Sequence, residues 1–135
     1  MKCVMIIDEE LPSGIAANTA AALGISLSGR IGDLVGNKLV DLDGRLHEGV
    51  TNIAIPILVS SREELRELHD SIMERSDSDI LLIGFNEVAQ KSLNYEDYEK
   101  KLALKLKDQI DYLGVCIYGP RSKVNKLTGK LKMMK

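Results

Sequence analysis

Apolar positions fall into blocks whose spacing changes along the chain, and each change predicts an element. Cys3 to Ile7 run apolar without polar alternation, which predicts that residues 2–7 form a central strand buried on both faces. Pro12 and Gly14 punctuate the next stretch, with Ser13 placed to cap a helix. From Ile15 to about Ile31 the spacing Ala16, Ala20, Leu23, Leu27, Ile31 is helical, and the neighbouring alanines allow close approach to the sheet or to another subunit. Gly24 weakens the far end of that helix, and Gly29, Gly32 and Gly36 read as loop.

Leu39–Val40 and Arg45–Leu46 flank Asp43-Gly44, a hairpin signal. Residues 51–59, TNIAIPILV, read as a second main strand, with Pro56 pointing to an edge or a bulge. Ser61 and Glu64 have capping-box spacing and open a helix striped by Leu65, Leu68 and Ile72. Residues 79–85 read as a third buried strand. Tyr95, Tyr98, Leu102 and Leu106 then mark a helix whose tyrosines belong to the core, with Glu96–Lys100 and Asp97–Lys101 at i, i+4. Residues 113–118 read as the last strand, followed by a short helix from Pro120 to Gly129 with Val124 and Leu127 inward. The order β-α-(hairpin)-β-α-β-α-β-α predicts a single α/β domain, with helices on both faces of a mixed or mostly parallel central sheet.

No apolar run approaches the roughly 20 residues that span a bilayer, and acids at Asp8, Glu9 and Glu10 interrupt the first one where a secretory leader would stay apolar. The expected location is the cytoplasm. Cys3 and Cys116 both fall in strands that read as buried, where a thiol acts as a small hydrophobe, so no disulfide or metal site is expected. Net charge is −2, but the last fifteen residues carry six Lys or Arg and no acid. An acidic body with a basic end can steer toward phosphate or nucleic acid.

Arg121, Lys123 and Lys126 follow a strand end through Tyr118-Gly119-Pro120, where backbone N–H groups and the helix dipole favour an anion. Asn18 lies opposite the Ala16–Leu23–Leu27 stripe and faces away from the main packing surface. His47, at the hairpin exit, and His69 are the two candidate bases. Asp41, Asp43 and His47 match neither a calcium loop nor a zinc-protease pattern, so no metal or other cofactor is expected. Serine-hydrolase, P-loop and dinucleotide-binding glycine motifs are absent.

Two stretches, IAANTAAA and IYGPRSKVNKLTGKLK, resemble the type II peptidyl-tRNA hydrolases, the second in Gly119-Pro120, Val124, Thr128-Gly129 and Leu131. Where that family carries a lysine, a glutamine and a histidine on its catalytic helix, this chain has Gly14, Asn18 and Ala21, and the Asp-Ala-Gly after the third strand is replaced around Phe85-Asn86-Glu87. LPSGIAAN at 11–18, DLDG at 41–44 and YGPRSKVNKLTG at 118–129 together resemble a smaller relative of that superfamily, the DUF2000 family. That resemblance implies the hydrolase-like fold and a homodimer. The expected function is binding of an anionic ligand, RNA or a phosphate-bearing nucleotide-like molecule, by Asn18, Tyr118, Gly119, Arg121, Lys123 and Lys126. The alternatives are a diverged hydrolase of peptidyl-tRNA or a small ester or amide analogue, with Asn18 as orienter and His47 or an acid as base, and a non-catalytic partner-binding subunit.

Overall fold

The first strand, β1 (Lys2–Asp8), divides its side chains between two cores. Cys3, Met5 and Ile7 face one side, and Val4 and Ile6 the other. That is the alternation of a strand covered on both faces. A computed structural model describes residues 1–135. Helix α1 (Ser13–Arg30) covers the first face with Ala16, Leu23 and Leu27; α2 (Arg62–Arg75) and α5 (Arg121–Thr128) cover the second with Leu65, Ile72 and Val124.

The five-stranded sheet has the order β5-β6-β1-β4-β7, formed by β5 (Leu81–Asn86), β6 (Tyr112–Gly119), β1, β4 (Ile57–Ser60) and β7 (Lys132–Met133). Only β1 and β4 run parallel, with Met5 opposite Ile57; every other neighbour is antiparallel. The sheet is therefore mixed. A separate ribbon pairs β2 (Leu39–Val40) with β3 (Leu46–His47), turning at Gly44, whose φ of 80° is the left-handed conformation glycine adopts without strain.

Several sequence expectations are corrected. Ser13 is the first helical residue and caps nothing; Pro12 precedes the helix and its carbonyl accepts from the Ala16 N–H. Helix α1 continues through Gly24 and Gly29, because its face rests on the sheet along its length and packing outweighs glycine's weak propensity. Strand β4 starts only after Pro56, which has no N–H to donate, although the Pro56 carbonyl accepts from Met5. Pro56 thus bounds an inner strand.

Strand β5 is an edge strand, half-buried along most of its length. After it, Asn86 caps an unforeseen short helix, α3 (Glu87–Lys91), by accepting from the Ala89 N–H. Helix α4 (Tyr95–Leu102) buries no residue fully: Tyr95 is 79% exposed and Tyr98 half-buried, so these tyrosines are not core. It also stops at Leu102, leaving Leu104 and Leu106 exposed. Strand β6 is not the last, since β7 pairs with β4 and closes that edge. The Ser61–Glu64 cap forms as expected, with the Glu64 N–H donating to the Ser61 hydroxyl at 3.2 Å. No helix is long and apolar enough to cross a membrane.

Candidate functional site

Topology separates the residues that the sequence grouped together. Lys2 pairs with Gly119 and Ile7 with Gly114, so β6 ends where β1 begins. Asn18 lies in the early turns of α1, which follows the other end of β1. Asn18 is exposed, facing away from the sheet as its spacing requires. Being at the opposite end of β1, it does not join Tyr118–Lys126 in one site. The expectation of a shared mouth failed because it required β6 to run parallel to β1.

Contacts divide the basic segment. Gly119 passes so close to the chain before β5 that a Cβ there would lie 2.9 Å from the Asp79 carbonyl oxygen. Lys123 is engaged, its Nζ 2.9 Å from both Asp77 Oδ2 and Asp79 Oδ2. The Asp77 carboxylate pushes the Lys123 pKa up, and Lys123 in turn holds Asp77 below the usual carboxylate range. Lys123 therefore ties α5 to the turn before β5 and is withdrawn as a free ligand contact. Lys126 is exposed and lies beside Arg75.

Arg121 lines a cavity of about 340 Å³ together with Lys2, Cys3, Ile53, Pro56 and Tyr118, and no carboxylate lines it. No side chain caps the start of α5. The cavity wall thus combines two cations, a half-buried tyrosine ring and the positive end of a helix. Sequence reasoning missed Lys2, which stands more than a hundred residues from Arg121 and is brought to it only by the β1–β6 pairing. Beneath it, the Cys3 and Cys116 sulfurs sit 3.7 Å apart as free thiols. The hydrogen bond between them lowers the Cys3 pKa and raises that of Cys116, with burial adding to the rise.

His47 stands on the exposed ribbon, its Nε2 2.6 Å from Asp41 Oδ2. His47, then the Arg45 N–H, pull the Asp41 carboxyl below its usual range. The pair braces the hairpin, away from the cavity that Arg121 lines. No cluster of three or more His, Cys, Asp or Glu side chains is placed to hold a metal ion. A cavity of about 630 Å³ opens where Ala16, Ala17 and Ala20 of α1 face Ile57, Val59 and β7. Ala16 is buried against the sheet, the close approach its size allows, while Ala17 and Ala20 leave a groove toward β4 and β7.

A mixed five-stranded sheet, one long helix on its first face and two helices on its second define a single α/β domain. The chain belongs to the family described as "Protein of unknown function (DUF2000)", whose model matches residues 1–135. Among solved structures it is similar to the protein of unknown function Atu0240 from Agrobacterium tumefaciens strain C58, with a TM-score of 0.87 and 20% identity over 99% of this chain and 97% of that one. At that identity the likeness speaks for the fold. None of the curated proteins matches the chain.

Proposed function

We propose that this protein binds an anionic ligand, an RNA or a phosphate-bearing small molecule, in the cavity formed by Lys2, Tyr118 and Arg121 at the start of α5. The observation that carries it is a cavity wall with two cations and no carboxylate, beside an uncapped helix N-terminus. In a protein of net charge −2 that is a local reversal of sign. Lys126 extends positive charge along the helix. Kinship with the type II peptidyl-tRNA hydrolases is part of this proposal; it rests on the Gly119-Pro120 and Thr128-Gly129 spacing. Hydrolysis by Asn18 and His47 has no support in the geometry, since neither residue lines this cavity.

The test is a fluorescence-anisotropy titration with tRNA and with inorganic phosphate at about 50 and 200 mM salt. Each cation that meets a phosphate on a single strand contributes roughly 0.7 to the slope of log affinity against log salt. Lys2→Ala with Arg121→Ala is expected to weaken RNA binding at least tenfold and to reduce that slope by about 1.4. An unchanged slope in the double variant would remove the assignment.

We also propose that the protein is a homodimer joined through the β2–β3 ribbon. Leu39, Val40, Leu42, Leu46 and Val50 are all exposed on it or beside it. An isolated two-stranded ribbon is marginal in water, and a second copy of the same apolar surface would cover it. Sedimentation equilibrium at micromolar protein should give a dimer, and Leu42→Asp with Leu46→Asp a folded monomer. A wild-type chain that sediments as a monomer would end this reading.

A further inference from the structure

A second cavity, of about 400 Å³, lies between α2, β5 and α4, and its polar groups have the opposite character. His69, only 3% exposed, stacks on Tyr112 with ring centroids 3.9 Å apart and an interplanar angle of 26°. Gly84 of β5 makes room for both rings: a Cβ there would lie 2.8 Å from Tyr112 Cε1 and 3.2 Å from His69 Cδ2. His69 Nδ1 is 3.0 Å from Asp70 Oδ1, and a carboxylate acceptor fixes Nδ1 as the protonated nitrogen.

In the tautomer protonated at Nδ1, Nε2 of His69 is an acceptor, and it makes no hydrogen bond within the protein. Nor does the hydroxyl of Tyr112, which is 7% exposed. Every buried side-chain nitrogen or oxygen in this structure has a partner, so these two unpartnered atoms are reached from the cavity they line. Burial first, then the nearby Asp70 charge, pushes the Tyr112 pKa up to about 12 and keeps the phenol neutral. Asp70 Oδ2 is also without a protein partner, and the Tyr98 hydroxyl already accepts from Asn86 Nδ2 at 3.2 Å. The one lysine of the wall, Lys107, is paired to Glu74 at 3.7 Å on the exposed rim.

We propose that this cavity is a binding site for a small organic ammonium ion carrying a short apolar or aromatic body. An ammonium group has three donors and a charge; the cavity offers the His69 Nε2 lone pair, the free Asp70 oxygen and phenol oxygens. Asp70 and Glu74 against the single Lys107 leave the wall net negative, which excludes the phosphate-bearing ligands suited to the Lys2–Arg121 cavity. Leu82, Leu102 and Ile110 provide the apolar wall for the body of the ligand. Asp70 provides the charge, while His69 and Tyr112 orient the ammonium.

The probes are benzylamine, its uncharged counterpart benzyl alcohol, and benzoate, titrated into the full chain by ligand-observed NMR and by calorimetry at neutral pH. Benzylamine is expected to bind at least tenfold more tightly than benzyl alcohol, and benzoate not to bind. His69→Gln and Tyr112→Phe should each weaken benzylamine binding about tenfold. Because both residues are buried, Asp70→Asn gives the test that folding does not confound: its side chain is 24% exposed and the amide oxygen can still accept from Nδ1. That variant should reduce the preference for benzylamine over benzyl alcohol to less than threefold. Equal affinity for amine and alcohol in the wild type, no benzylamine binding at millimolar concentration, or an unchanged preference in Asp70→Asn would each overturn the proposal.

Discussion

Gly114→Ala is expected to destabilise the protein by about 3 kcal/mol, lowering the melting temperature by roughly 10 °C for a domain of this size. Gly114 sits in β6 opposite Ile7, where α1 crosses the sheet. A Cβ there would lie 2.7 Å from Thr19 Cγ2, 2.8 Å from Ile7 Cδ1 and 3.1 Å from the Ile6 carbonyl oxygen. The two side chains can shift only by moving within a packed core, and the backbone oxygen is fixed in the β1 ladder. Thr19 has little freedom, since it is fully buried and donates to the Ile15 carbonyl at 2.8 Å. Gly24 in α1 supplies the control, because a Cβ there meets only Met5 Cε at 3.9 Å. Gly24→Ala should stabilise by about 0.5–1 kcal/mol through helix propensity. Thermal unfolding of the two variants under one condition checks both signs, and a Gly114→Ala protein that melts with the wild type would show that α1 can move off the sheet.

Leu65→Ala should have a comparable effect, about 3 kcal/mol, for the opposite reason. Leu65 is fully buried in the α2-facing core with Val4, Ile6, Val115, Ile117 and Val124, residues drawn from β1, β6 and α5. Truncation leaves a cavity at the junction of three elements, where the sheet on one side prevents collapse. Urea unfolding should show a lower midpoint with an unchanged m-value. A loss below about 1 kcal/mol would mean that α2 is held by its capped N-terminus and rim contacts instead of by this core.

Elements with strong local signals were legible in the chain. The Ser61–Glu64 spacing before α2, the Asp43-Gly44 turn and the i, i+4 pairs of α4 each encode a structure whose energy comes from neighbours in sequence, and the unbroken apolar run of β1 marks a strand covered on both faces whatever covers it. Weaker or wholly non-local elements were not. Strand β7 is two residues of a lysine-rich tail, and it exists because β4 presents an unpaired edge to it. Tyr95 and Tyr98 follow helical spacing, but α4 packs on the short α3, with a cavity between it and the edge strand, and buries neither ring fully.

The candidate sites divide in the same way. Tyr118 and Arg121, which line the Lys2–Arg121 cavity, were already grouped by the sequence because strand, Gly-Pro and basic helix are contiguous there. Lys2 entered only through the antiparallel register, and Lys123 left because Asp77 and Asp79 fold back onto it. His69 is half of an adjacent His-Asp pair that is plain in the sequence, yet Tyr112, Gly84 and Asn86, which complete its cavity, come from two strands paired antiparallel.

The sequence by itself determined an α/β domain, the core-facing stripes of its main helices and a basic C-terminal segment, since periodicity, capping and composition are local quantities. Only the tertiary structure decided strand direction, and with it which charges share a cavity. Hydrophobic alternation reads the same along a strand in either direction, so nothing in the spacing of β6 says whether Gly119 ends beside Lys2 or beside Asp8. That choice is made by the closing of one core on each face of the sheet, and it places cations around one cavity and hydrogen-bond acceptors around the other.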